Sequence, residues 1–292
     1  MPGKMITTLI VGASGLLGRY LLRTASKSHR VIGTCFGNPS TSLLSMDIRD
    51  PSQVLETLYR LRPDIVINTA AIGSVDYVEQ HPRDGYDVNV GGVRNLLDAV
   101  RIIGSHFVHI SSNAVFSGDD PPYDEYAELD PINTYGIQKA LADEFVFNAD
   151  GPFLIIRPIL MYGWPELGRQ NIVTMCLNAL EEDRVFRAAE DVITQPLYAS
   201  DCARAIWQLV SKWSKGVYHI GGETTTSIYQ FCTGVASSFG KNVDLIEPVN
   251  IESLRLSPRP LNTTFVLDKL YNMGIKPCGA REGLVWMQKE RG

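Results

Sequence analysis

No apolar run in this 292-residue chain approaches the roughly 18 residues that would cross a bilayer. The segment Met5 to Val11 is too short for a signal-peptide core and runs directly into glycine. Both absences set the expectation of a cytoplasmic protein with no membrane partner. Nor is there a block or stripe of Lys and Arg, and the formal net charge is −5. A chain of this kind has no surface that could track a phosphate backbone, so a nucleic-acid partner is not expected. The five cysteines, Cys35, Cys176, Cys202, Cys232 and Cys278, are scattered and form no C-x-x-C pair. Zinc knuckles and thioredoxin-like redox motifs are thereby excluded, and the thiols read as small buried hydrophobes in a reducing compartment. Histidines are few, and His29, His81, His106 and His219 have no metal-ligand spacing. His109 lies on an apolar strand and reads as a satisfied core residue. No catalytic metal is expected.

What is present alternates strand with helix. Met5–Val11 is a short β-branched run ended by Gly12 and reads as a buried strand. A helix is predicted over 16–24, from Leu17, Tyr20 and Leu21, then a strand over 29–35. The next helix spans 51–61, with Asp50 as N-cap and Pro51 at the first helical position. Strands at 64–68, 107–110 and 153–156 enclose a long helix over 83–103 and another over 133–148. Strand and helix in turn, without hairpin signals, mean parallel strands joined by helical crossovers. The predicted fold is therefore α/β, a doubly wound parallel sheet of the Rossmann kind. After Arg157 the pattern loosens into helices at 171–182, 201–212 and 226–239, with a strand at 217–220. Residues 1–160 with about 195–220 are expected to form the dinucleotide-binding domain. Residues 161–194 with 221–292 are expected to form a smaller C-terminal substrate-binding lobe.

In such sheets ligands bind beyond the carboxyl ends of the strands. The turn Gly12-Ala13-Ser14-Gly15-Leu16-Leu17-Gly18 sits there, between the first strand and first helix. Glycine serves the tight turn, the close approach of a pyrophosphate and the packing of helix on strand, while the helix N-terminus offers free N–H groups to phosphate. The turn predicts a bound dinucleotide. The second strand runs into Thr34-Cys35-Phe36-Gly37-Asn38-Pro39 with no carboxylate to read a ribose hydroxyl, and Arg19 stands just past the last glycine. That pattern leans toward NADP over NAD.

Tyr135 and Lys139 are four residues apart at the start of a predicted helix, on one face. An ammonium beside a phenol favours the phenolate and lowers its pKa, giving a general acid for a carbonyl oxygen. Ser111 and Ser112 end the fourth of these strands and face the same crevice, where a hydroxyl could steady an oxyanion.

These residues resemble the extended short-chain dehydrogenase/reductases. Within them they look most like the dTDP-4-dehydrorhamnose reductase family, which also includes the regulatory beta subunit of methionine adenosyltransferase. The likeness rests on Gly12 to Arg19, Asp47-Ile48, Arg62 to Ala71, Asn89 to Gly92, Ser111 to Gly118, Pro131 to Gly136 with Lys139, Arg157 to Gly163, Arg259 to Asn262 and Leu267 to Leu270. It implies Ser112 rather than Ser111 as the catalytic hydroxyl beside Tyr135 and Lys139. It further implies cofactor contacts from Asp47, Ile48, Ala70, Ala71, Ser111 and Pro158. Substrate contacts would come from Asn113, Ala114, Leu160 and Arg259. The implied activity is NAD(P)H-dependent reduction of a 4-keto group on a nucleotide-activated deoxysugar. Ala114 and Leu160 replace aromatic residues usual in the reductases, and Asn113 replaces a carboxylate. A non-catalytic, cofactor-binding regulatory subunit and a nucleotide-sugar epimerase therefore stay open, as does a homodimer.

Overall fold

The computed structural model describes residues 5–37, 42–166 and 170–290. Its first half runs β1 Ile6–Val11, α1 Leu16–Thr24, β2 His29–Cys35, β3 Leu44–Ser45, α2 Pro51–Leu61, β4 Ile65–Asn68, α3 Val75–Gln80, α4 Pro82–Tyr86, a π-helical turn Asp87–Gly91, α5 Gly92–Ile103, β5 His106–Ile110, α6 Thr134–Phe147 and β6 Phe153–Pro158. The second half adds β7 Met161–Tyr162, α7 Ile172–Glu181, β8 Phe186–Ala189, β9 Ile193–Thr194, β10 Leu197–Tyr198, α8 Ala199–Ser211 and β11 Gly216–Ile220. It closes with β12 Thr226–Ser227, α9 Ile228–Ser238, β13 Ile246–Val249, α10 Asp268–Asn272 and α11 Ala280–Lys289.

Seven strands form one parallel sheet in the order β11-β6-β5-β4-β1-β2-β3. The predicted doubly wound α/β architecture is the one found. Side chains alternate across each strand, so β1 sends Ile10 into one core and Leu9 and Val11 into the other. On the first face α1, α8 and the C-terminal helices cover Ile65, Ile67 and Ile156, and Trp207 of α8 donates its indole N–H to Leu21 O at 3.1 Å. On the second face α2, α5 and α6 bring Val54, Leu58, Leu96 and Val146 against Val66, Phe107 and Ile155. Truncating a fully buried aliphatic such as Leu58 in cores of this kind costs about 2–5 kcal/mol.

The order in which successive strands are added reverses between β1 and β4, so the crevice opens above their carboxyl ends. The small paired sheets β10-β7, β12-β9 and β13-β8 lie outside the large one. Asp50 caps α2 as predicted, accepting from Ser52 N at 2.9 Å and Gln53 N at 3.2 Å. The long helix expected over 83–103 is present and continuous, as α4, a π-helical turn and α5. In the π turn Asn89 is buried, its Oδ1 accepting from Ile72 N at 2.9 Å and its Nδ2 donating to Ile72 O at 3.1 Å. Among the described residues no helix is long and apolar enough to cross a membrane.

Candidate active site

The glycine turn lies against the end of β4. Gly12 has φ +78°, and a Cβ there would come within 2.6 Å of Ala70 N. At Gly18 a Cβ would meet Gly12 O at 2.6 Å. Thr69 Oγ1 ties the two strand ends together by donating to Val11 O at 2.7 Å. Gly15 caps α1 with no side-chain hydrogen bond, and no acidic residue occupies the first turn. The result is a cradle of bare backbone at a helix N-terminus, bounded by Ala70 and Ala71, and it fits a pyrophosphate.

Asp47 and Ile48 follow β3 beside the end of β2. Asp47 is not a helix cap; its carboxylate is forked by Arg49, with Nε at 2.9 Å from Oδ1 and Nη2 at 2.7 Å from Oδ2. This pair, through its hydrogen bonds first, keeps the Asp47 carboxyl below its usual range. The Arg49 guanidinium also lies 4.7 Å above the exposed ring of Phe36. Arg49 was not singled out by the sequence, although its place two residues after Asp47 was a signal. Arg19 is ion-paired with Glu166, and the residues 38–41 that follow Phe36 and Gly37 lie outside the described residues. Arg19 therefore reaches toward the segment beyond β7 and not into open space.

Asn133 caps α6 by accepting from Gly136 N at 2.8 Å, which starts the helix one residue before Tyr135. Glu79 of α3 accepts from Thr134 N at 3.0 Å on the same first turn. A Cβ at Gly136 would collide with the Ala114 carbonyl, so the loop after β5 sits directly on the start of α6. Tyr135 is half-buried, and Lys139 one turn on is 1% exposed. Lys139 Nζ donates to Ile110 O at 2.7 Å, at the end of β5. Burial pulls its pKa down to about 8, while the charge of Asp143 works in the opposite direction.

Ser112 and Ser111 separate as the strand ends. Ser112 Oγ accepts from Ala114 N at 3.1 Å and lies 3.4 Å from Asn113 Oδ1, on the loop that meets α6. Ser111 turns inward, close to Asp143 but outside hydrogen-bond geometry; burial raises that carboxyl, and Ser111 offsets the rise only in part. Asn113 Nδ2 donates to Thr263 Oγ1 at 2.5 Å. Ala114 is buried, Leu160 is packed against the core, and Pro158 ends β6 beside Ile220. Arg259 is held by Asp76, Nη2 to Oδ2 at 2.6 Å.

One expectation needs correcting. His109 is fully buried as predicted, but it is not satisfied: its Nδ1 makes no hydrogen bond to protein, and its Nε2 lies 3.4 Å from Lys139 Nζ. The sequence reading also passed over Asp143, whose spacing from Lys139 repeats that of Lys139 from Tyr135. It passed over Asp76 and Glu79 too. Among the described residues no group of three His, Cys, Asp or Glu side chains gathers to hold a metal.

A parallel sheet of this order, a glycine cradle at its switch point and a Tyr–Lys pair one strand away define a dinucleotide-binding protein of the extended short-chain dehydrogenase/reductase type. More particularly, the chain belongs to the RmlD substrate binding domain family, whose model matches residues 6–291. It is similar to the crystal structure of dTDP-4-dehydrorhamnose reductase from Bacillus anthracis in complex with NADP. That likeness has a TM-score of 0.89 and 28% identity, over 98% of this chain and 99% of that one. It is 31% identical to the spore coat polysaccharide biosynthesis protein SpsK of Bacillus subtilis, over 98% of each chain. It is also 27% identical to methionine adenosyltransferase 2 subunit beta of Xenopus tropicalis, over 94% of this chain and 84% of that one.

Proposed function

We propose that this protein reduces a 4-keto group on a nucleotide-activated deoxysugar, with NADPH as the reductant. The observation that carries the reading is the spacing of Tyr135 and Lys139 one turn apart on α6, whose start is pressed against the loop after β5, with Lys139 anchored on Ile110 O. The bound nicotinamide would supply a hydride to the carbonyl carbon. Tyr135 Oη gives the carbonyl oxygen its proton, so the ketone becomes an alcohol and the phenol a phenolate. Lys139 stabilises that phenolate by charge, and its anchor on Ile110 O keeps the ammonium one turn below the ring. Ser112 offers its hydroxyl to the developing oxyanion from the loop pressed on the same helix turn. Gly12 to Gly18 with Ala70 and Ala71 hold the pyrophosphate side, and Asp47 with Ile48 the adenine side. Ser111 and Pro158 border the nicotinamide side. The preference for NADPH rests on the relative whose structure contains NADP.

Residues 1–160 with about 195–220 serve as the cofactor domain in this reading, and 161–194 with 221–292 as the substrate lobe. Asn113, Ala114, Leu160 and Arg259 face the sugar nucleotide. The test is NADPH consumption across a panel of nucleotide-4-keto sugars, with the alcohol product identified by mass. Oxidation of NADPH in proportion to product supports the reading, and conversion of a sugar without net NADPH loss would make the protein an epimerase.

A second reading, a cofactor-binding regulatory subunit, is favoured by two positions. Ala114 is buried and Leu160 packs into the core, so neither offers an aromatic wall to a sugar. The likeness to methionine adenosyltransferase 2 subunit beta points the same way. Stoichiometric capture of an enzyme partner, with no ketone-dependent NADPH oxidation, would support this alternative.

A further inference from the structure

Behind Lys139 lies a set of buried charges that the chemistry above does not use. Tyr135, Lys139 and Asp143 follow one another at steps of one turn on α6, so they share a face. Lys139 and Asp143 are 1% and 2% exposed. β5 inserts the His109 ring between them, its Nε2 at 3.4 Å from Lys139 Nζ and 3.6 Å from Asp143 Oδ1. β6 brings Arg157, whose Nε donates to Asp143 Oδ2 at 2.9 Å. β11 brings His219, with Nε2 at 3.4 Å from Arg157 Nη1. Beyond it Glu125 accepts from His219 N, and the Lys269 ammonium acts on the same ring.

Both histidines are held neutral, His109 well below its usual range by burial and then by Lys139 and Arg157, and His219 likewise at about 3. Two cations, Lys139 and Arg157, are thus left to share the one carboxylate among the groups that border Lys139. That carboxylate is divided. Oδ2 serves Arg157, whereas Oδ1 makes no hydrogen bond to protein and faces the His109 edge next to Lys139. An ammonium removed from water needs a compensating charge or it sheds its proton.

We propose that Asp143 is a positioning residue for Lys139: its Oδ1 edge, with the His109 ring as spacer, keeps the ammonium charged and seated beneath Tyr135. The proposal rests on the Tyr135–Lys139 reading given above. Burial raises the Asp143 carboxyl above its usual range, and the Arg157 guanidinium bonded to Oδ2 opposes that rise and favours the anion.

The test is an NMR titration of the lysine Nζ-adjacent carbons in full-length protein, with Lys139 assigned from Lys139→Arg. In the native protein Lys139 should titrate near pH 8. In Asp143→Asn the midpoint should fall by about one pH unit or more, a tenfold loss of proton affinity. The alkaline limb of kcat should move with it, and Asp143→Glu should restore both. Asp143→Ala, which admits water beside Arg157, serves if the Asn variant does not fold. A midpoint unchanged in either neutral variant would overturn the proposal. A purely structural role would lower Tm and kcat equally at every pH and leave the midpoint in place, which also counts against it. Turnover that survives Tyr135→Phe while the Lys139 midpoint still depends on Asp143 would sink the proposed reaction and not this coupling.

Discussion

Arg259 Nη2 lies 2.6 Å from Asp76 Oδ2, and Arg259 Nη1 lies 3.2 Å from Oδ1, joining a loop late in the chain to the first turn of α3. Ser257 N donates to the same carboxylate at 2.9 Å, and Asn133 Nδ2 donates to Pro258 O at 3.0 Å. With the Asn113–Thr263 bond, the segment 257–263 is thereby tied to the neighbours of both Ser112 and Tyr135. Arg259, assigned above to the sugar nucleotide, is balanced by a carboxylate of the chain itself. An anionic ligand would compete with Asp76 for it.

The Arg259 guanidinium, as the first cause, holds the Asp76 carboxyl down to about 2, against an ordinary value of 3.8. A carboxyl depressed in the folded state stabilises it above the ordinary value and loses that contribution as pH falls through the folded one. Asp76→Asn should therefore flatten the fall of Tm between about pH 4 and 2. At pH 7 the loss should be small, about 1 kcal/mol or less, because both side chains are partly exposed. Circular dichroism melts across that range decide it, and an acid slope equal to the native one would refute the assignment.

Lys139 is a buried cation whose removal from water works against the fold. Its pKa is lowered in the folded state to about 8, so this group's contribution to stability rises as pH climbs from there toward 10.5. Lys139→Met removes the buried charge while Asp143 keeps its bond to Arg157. The variant should melt at or above the native Tm at pH 7 and have no measurable turnover. A drop in Tm of several degrees would show that the ammonium is a net structural asset.

Gly12→Ala combines two penalties. The φ of +78° is strained for any residue with a side chain, and the added Cβ would press on Ala70 N at 2.6 Å. Strain of this kind costs about 1–3 kcal/mol, and relieving it would spread the cradle. The NADPH Kd should rise at least about tenfold, which is 1.4 kcal/mol, with a lower Tm. Unchanged affinity by isothermal titration would remove the turn from the cofactor site.

Much of the sheet was legible because buried parallel strands are continuous apolar runs, as in Ile65-Val66-Ile67 and Leu154-Ile155-Ile156. The cradle and the Tyr135–Lys139 pair were legible because both are local in sequence. What escaped was non-local or too short. Strands β7, β9, β10 and β12 have two residues each, too few to show any alternation. Helix α11 follows Pro277, Cys278 and Gly279, and its apolar face packs against Tyr162, Tyr198 and helix α9, all distant in sequence. Arg19 read as a candidate for the NADP 2′-phosphate, and its ion pair was hidden because Glu166 is far along the chain. The Asp76 partner of Arg259 was hidden for the same reason, since nothing near Arg259 in sequence announces it. Asp143 was missed although its signal was local: a second four-residue step, Lys139-Ala-Leu-Ala-Asp143, on a helix face otherwise apolar.

Tyr135→Phe tests the account most directly, because it deletes one oxygen from a half-buried ring and leaves the cradle untouched. NADPH oxidation with the best nucleotide-4-keto sugar of the panel should fall about 10²–10⁴-fold, the span a positioned general acid contributes, while the NADPH Kd stays within about twofold, under 0.5 kcal/mol. Turnover equal to that of the native protein would contradict the claim that the phenol of Tyr135 delivers the proton.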